Sequence, residues 1–240
     1  LSIFLFSPII FVLVNFFKLI YIENIFFKKY FIDAFFNSLV LCIVTAVLVT
    51  FAGLIISLLL VNIRKNYFLQ QSLFLLTSII LIISPVIISL GYFIALGELR
   101  YIYWVKILVI IVINCIFLIP FSILILFTRI KNIYLNFEDI KNAFRISDKK
   151  FIKIIIPLIK KNLFYVFSFS TAISFGDFTI ISFFKSESFQ TLPTLLYKLI
   201  TSYRFNEASL VAGFILIFSL IVYLVLDNEI FYKDKPDKSM

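Results

Sequence analysis

Residues 34–63 read AFFNSLVLCIVTAVLVTFAGLIISLLLVNI, thirty positions without one charged side chain. An α-helix rises 1.5 Å per residue, so about 20 apolar residues cross the hydrocarbon core of a bilayer. This stretch therefore predicts a membrane-spanning helix with residues to spare, taken up by tilting or by extension past the lipid. Five further runs have the same character: Leu1–Phe17, Phe68–Leu96, Tyr103–Phe127, Leu163–Phe184 and Ala208–Leu226. The reading is an all-α integral membrane protein of about six transmembrane helices. Pro85 and Pro120 fall inside the third and fourth runs. They predict kinks rather than breaks, because neighbouring helices can satisfy the freed carbonyls.

The whole chain agrees with that stretch. Hydrophobic types make up 62% of its 240 residues and charged types 15%, against about 45–50% and 25% in an ordinary globular domain. A water-soluble fold of this size cannot hide so much apolar surface. There is no His, which excludes paired-His haem ligation, His-based zinc sites and Ser-His or Cys-His catalysis. Cys42 and Cys115 lie in apolar runs and read as small buried hydrophobes. A metal site or a disulfide framework needs more partners than these two. Leu1–Phe17 has no basic leading region and no small-residue cleavage site, so it reads as a membrane helix rather than a signal peptide. It opens without Met, and the chain is expected to lack its true start or to be one half of something longer.

The net charge of +9 points to membrane topology rather than to nucleic acid. Nine of the 22 basic residues fall in 129–161, with Arg64 and Lys65 after the second run and Lys233, Lys235 and Lys238 in the tail. Alternating helices put these 14 on one side. Lys18, Lys28, Lys29, Arg100, Lys106, Lys185, Lys198 and Arg204 fall on the other. The excess predicts that both termini, the loop 129–161 and the tail 227–240 are cytoplasmic.

That loop is patterned. Asn136-Phe137-Glu138-Asp139 places a capping side chain and two acids at a predicted helix start. Ile140, Ala143, Phe144 and Ser147 then recur at helical spacing. Ser147-Asp148 can cap a second helix in which Phe151, Ile154 and Ile155 share a face before Pro157. Two short helices at an angle would present a hydrophobic knob in a basic rim to a cytosolic partner. The same pattern also suits an interfacial helix pair resting on anionic lipid.

Asp139 to Pro157 resembles the cytoplasmic loop of bacterial ABC importer permeases, the MetI-like inner-membrane components of binding-protein-dependent systems, which carry an acid, two small residues, a Gly and a later Pro. Here the small pair is Ile140-Lys141, Phe144 or Arg145 stands at the Gly position, and the distance to Pro157 is one residue short. Ser174-Phe-Gly-Asp-Phe178, Thr191-Leu-Pro193, Leu196-Tyr197 and Ser202-Tyr-Arg204 are similar to the end of thiamine transport permeases, with Asn37-Ser38 opening the second helix. The likeness covers about 34–226 and matches the second half of permeases that are usually two fused halves. It implies a permease subunit of an ATP-driven importer in a bacterial inner membrane, with thiamine or its phosphates as solute. It also implies a coupling loop containing Glu138, Asp139, Ala143, Phe144, Arg145, Ser147, Phe151 and Pro157. The implied partners are an ABC ATPase dimer that binds ATP and Mg, a substrate-binding protein, and a second permease half or another copy of the chain. The chain itself lacks Gly-x-x-x-x-Gly-Lys-Ser/Thr and so cannot cradle ATP phosphates in that way. No enzymatic activity and no bound cofactor are expected of it.

Asp177 is the only acid well inside a predicted span, and an ionised carboxylate facing lipid is costly. It reads either as a pathway or gate residue, with Ser174 beside it, drawing a cationic ligand, or as an acid held by hydroxyls, backbone or Arg204. Ser168, Ser170, Thr171 and Ser174 suit close helix packing. Thr191, Pro193, Tyr197 and Arg204 would contact a substrate-binding protein or belong to an interfacial re-entrant segment anchored by Tyr197 and Tyr203. An ion-coupled carrier or channel is the alternative to an importer, although such proteins usually carry several intramembrane charges or helices broken by Gly and Pro. An intramembrane aspartyl protease needs two membrane acids, and a metalloprotease needs His.

Overall fold

The structure is a computed structural model that describes residues 2–20, 25–63, 67–144, 147–186 and 189–226. Ten α-helices follow one another among the described residues: α1 (Ser2–Leu19), α2 (Lys29–Asn62), α3 (Tyr67–Ile79), α4 (Pro85–Ala95), α5 (Tyr103–Ala143), α6 (Asp148–Leu158), α7 (Lys160–Phe175), α8 (Thr179–Phe184), α9 (Leu192–Thr201) and α10 (Phe205–Leu226). The described residues contain no β-strand, and Ser186 and Phe189 form one isolated bridge. Three helical stretches are long and apolar enough to cross a membrane alone: Lys29–Asn62, Tyr103–Phe137 and Phe205–Leu224. The fold is an all-α membrane protein.

Central α2 packs against α5, α7 and α9. Its buried stripe includes Ala34, Ser38, Cys42, Thr45, Ala46, Gly53 and Ser57, while Phe36, Val40, Val47, Phe51 and Leu59 point outward. The arrangement is that of a lipid-solvated helix. Lipid is as apolar as Leu, so helix association comes from close backbone approach across small residues, with large apolar side chains left to face the acyl chains. A second contact of this kind joins α1 to α10, where a Cβ on Gly213 would come within 2.6 Å of the Phe16 ring.

Three expectations are corrected. Pro85 does not kink a continuous helix. After a short 3₁₀ turn, Ile80–Ile82, the chain goes extended at Ile83 and Ser84, and α4 starts anew with Pro85 in its first turn. Ser84 Oγ accepts from the Val86 N–H at 3.3 Å. A residue preceding Pro is pushed out of the helical region, and a Ser-Pro pair suits a fresh helix start. Second, Asn136 begins no helix. It lies within α5, whose 41 residues run unbroken to Ala143. Ile130, Ile133 and Tyr134 just upstream are buried against Phe151, Ile155 and Ile159, and that packing outweighs a local capping preference. Third, the predicted span Leu163–Phe184 is two helices. Helix α7 ends at Phe175, the chain turns through Gly176-Asp177-Phe178, and α8 follows.

At 1.5 Å per residue α5 is about 60 Å long, so its two ends mark the two ends of the bundle. The bend between α5 and α6 lies at one. At the other, Lys106 in the first turn of α5 donates to Ser186 Oγ at 2.9 Å.

Candidate functional site

At the α5–α6 bend, Ala143 is exposed and Phe144 is 75% exposed. Ser147 occupies the N-cap position of α6 by its extended backbone, although its hydroxyl makes no capping hydrogen bond. Phe151 points inward, 3% exposed, with its ring edge-on to Tyr134 at 4.8 Å. The buried face of α6 is Phe151, Ile155 and Ile159, whereas Ile154, expected to share it, is outward. Pro157 is exposed in the last turn of α6. Two residues later, Ile159 (φ −100°, ψ 6°) ends α6 and opens α7. Exposed Lys150, Lys153 and Lys160 surround the outward face. Glu138 and Asp139 lie on the last turns of α5, their side chains outside the described set. Arg145 lies outside the described residues.

Asp177 stands at the α7–α8 break. Its Oδ1 accepts from the Thr179 N–H at 2.9 Å and the Ile180 N–H at 3.3 Å, so the side chain starts α8. Its Oδ2 is buried without a hydrogen-bond partner. The amide of Asn114, on α5, approaches the carboxylate, yet its Nδ2 closes no hydrogen bond. Ser174 Oγ, Thr45 Oγ1 on α2 and Ser122 Oγ on α5 are buried in the same unpartnered condition. Asn114, Thr45 and Ser122 were missed by sequence reasoning. The available signal was a lone polar residue within an apolar run, as in Ile113-Asn114-Cys115.

Beyond α8 the chain folds back on itself. Residues 190–192 reach into the bundle, where Asn37 Nδ2 donates to the Gln190 carbonyl and the Leu192 N–H donates to Ser38 Oγ, each at 2.8 Å. The Thr191 N–H donates to Thr194 Oγ1 at 2.8 Å, and Thr191 and Pro193 are buried. Helix α9 then climbs outward, carrying Tyr197 against Phe178 (ring centroids 5.1 Å apart) and beneath Lys185 Nζ at 4.8 Å. Arg204 pairs with Glu207 rather than with Asp177. Its Nη2 also donates to Tyr30 Oη at 3.2 Å, and Lys28 Nζ lies 3.3 Å from Glu207. The hydrogen bond to Glu207 holds the Arg204 guanidinium above its ordinary pKa, against the opposing effect of desolvation. The structure thus brings Tyr197 near Asp177 through Phe178, seats Arg204 in a separate ionic cluster, and leaves the residues of the α5–α6 bend at the far end.

No family model matches the chain. Sequence comparison finds the thiamine transport system permease protein ThiP of Haemophilus influenzae, 29% identical over 133 residues, which are 55% of this chain and 24% of that protein. The proteins of the same name from Escherichia coli and Salmonella typhimurium are each 24% identical over 121 residues, 50% of this chain and 23% of theirs. The matched segment thus spans about a quarter of the length of these curated relatives. The resemblance read from the residues is borne out: over about half its length, this chain is similar in sequence to bacterial thiamine transport permeases.

Proposed function

We propose that the chain is a membrane-spanning permease unit of an ATP-driven importer for a small solute, thiamine or its phosphates. It would lie in a bacterial inner membrane with both termini in the cytoplasm. The observation that carries this reading is the sequence similarity to thiamine permeases of three bacteria. The architecture supports it. Phe151, Ile155 and Ile159 fasten α6 to the end of α5, so a push on α6 moves α5 and α7 together as one lever. Phe144, exposed at the bend and flanked by lysines, is the knob that an ATPase subunit would grip. The helix break at Gly176-Asp177 lets the far half of the α7–α8 rod change direction while α7 follows the lever. Alternating access then needs only that ATP binding and solute favour different states of these packed helices. ATP and Mg would be held by the ATPase dimer. A substrate-binding protein would deliver solute at the end away from the α5–α6 bend, over exposed Tyr197 on α9 and Arg204 in the turn after it, while buried Thr191 and Pro193 hold that segment in place. A second permease half or another copy of the chain would supply the opposite wall of the pathway.

The test is affinity purification of the tagged full-length protein from native membranes, followed by uptake of radiolabelled thiamine into vesicles. An ATPase subunit that co-purifies, with uptake that stops on ATP depletion, is the expected result. Uptake that survives ATP depletion but collapses with a proton uncoupler would replace the importer with an ion-coupled carrier.

A further inference from the structure

A cavity of about 340 Å³ opens beside α9, against Lys185, Ser186 and Gln190, on the end of the bundle away from the α5–α6 bend. Its wall includes Lys185, Ser186, Gln190, Tyr197, Lys198 and Thr201. Two of these are cations, and no carboxylate lines the cavity among the described residues. Behind the wall stands a third: Lys106, 7% exposed, donates to Ser186 Oγ at 2.9 Å. Lys185 is seated over the Tyr197 ring, which attracts its ammonium and limits the positions that the flexible stem can take. Thr201 turns its hydroxyl back to the Tyr197 and Lys198 carbonyls at 3.1 and 3.0 Å, so the ammonium groups are the strongest donors facing the space.

Two ammonium groups on the wall of one small, partly enclosed space, with a third behind it on Ser186, favour an anion there. A single oxyanion can take charge-assisted hydrogen bonds from both wall lysines. The volume takes a compact group with a few attached atoms and is far too small for a folded partner. A tetrahedral oxyanion of up to two negative charges matches two lysines on one wall better than a singly charged planar carboxylate, whose favoured partner is the planar fork of Arg. We propose that the cavity lined by Lys185 and Lys198 binds a phosphate group. The group is presented either by an anionic phospholipid headgroup at the membrane surface or by a water-soluble phosphate ester. The inference stands on the cavity and its charges and does not depend on the importer reading.

Two measurements on the full-length protein test it and separate the sources. In nanodiscs of neutral phosphatidylcholine, equilibrium binding of radiolabelled orthophosphate reports the soluble route. In mixed micelles, native mass spectrometry counts phosphatidylglycerol molecules retained per protein and reports the lipid route. The double variant Lys185→Gln/Lys198→Gln should weaken orthophosphate binding at least tenfold or strip the retained phosphatidylglycerol. Lys185→Arg/Lys198→Arg should keep the activity of whichever route operates, which distinguishes lost charge from lost fold. Lys18→Gln, on another cavity at the same end, should change neither. Whichever probe responds names the source. If neither probe binds the native protein, or both bind the native and the double Gln variant alike, the proposal is overturned.

Discussion

Gly53 of α2 lies directly against Ser122 of α5: a Cβ added at Gly53 would come 2.6 Å from Ser122 Cβ and overlap its Oγ. Gly53 permits the close approach of two helices that supply much of the bundle's interior. In lipid such an approach contributes dispersion contacts that apolar burial would not, because acyl chains solvate apolar side chains as well as the protein does.

Gly53→Ala is therefore expected to overpack the crossing and destabilise the protein by about 1–3 kcal/mol, seen as a lower thermal unfolding midpoint in detergent. Ser122→Gly removes both clashing atoms, so the double variant should recover most of the loss. The two effects would then be non-additive, as expected for residues in contact. Additive losses would mean that the helices separate at this point.

Asp177 lends itself to a pair of substitutions. Asn keeps an oxygen that can accept from the Thr179 and Ile180 N–H groups, while Ala keeps none. Asp177→Ala should cost about 1 kcal/mol, as for a lost helix cap, whereas Asp177→Asn should leave stability and membrane abundance close to native. Under the proposed function Asp177→Asn still impairs uptake, because the charge and not the cap is lost. Full transport by Asp177→Asn would assign the residue to helix capping alone.

The two aromatic residues of the α5–α6 bend should separate stability from coupling. Phe151 fills the space beside Tyr134, so Phe151→Ala is expected to cost about 3–5 kcal/mol, or to release α6 altogether as judged by limited proteolysis. Phe144 is exposed, so Phe144→Ser should leave the free energy of unfolding within about 0.5 kcal/mol of native. The same substitution should reduce the amount of ATPase subunit that co-purifies. A Phe144→Ser protein that binds its ATPase normally would move the docking contact to another part of the bend.

Much of the fold was legible because lipid imposes a simple rule: apolar runs of about 20 residues become helices. The run at 34–63 needed no tertiary information. What the runs concealed were breaks made by one or two polar residues, Ser84 before Pro85 and Gly176-Asp177, where a local side-chain acceptor outcompetes helix continuation. The opposite error occurred at Asn136. There a capping pattern was legible, but burial of Ile133 and Tyr134 carries the helix through it. The bend residues and Asp177 stood out in the sequence by charge and spacing. The pairing of Asn37 and Ser38 with residues 190 and 192 lies across more than 150 positions, and no local pattern encodes it. Asn114 was hidden in the same way, since its meaning depends on Asp177 of a different helix pair.

The cluster that ties α10 to the entry of α2 should depend unequally on its members. Glu207 is nearly buried. It receives Arg204, Lys28 at 3.3 Å and Tyr30 Oη at 2.7 Å, whereas Lys28 and Arg204 each keep more than a third of their side chains in solvent. Removing the shared acceptor leaves three donors without it, and hydrogen bonds to a charged group contribute about 1.5–3 kcal/mol each at most. Removing Lys28 deletes one solvent-screened pair worth about 0–1 kcal/mol. Glu207→Gln retains one acceptor oxygen but turns an amide donor toward groups that also donate. It should therefore destabilise by about 1–3 kcal/mol, while Lys28→Ala falls below about 1 kcal/mol. Thermal unfolding of the two variants at one ionic strength gives the comparison. Equal losses would place the weight of the cluster on its solvent-exposed rim rather than on Glu207.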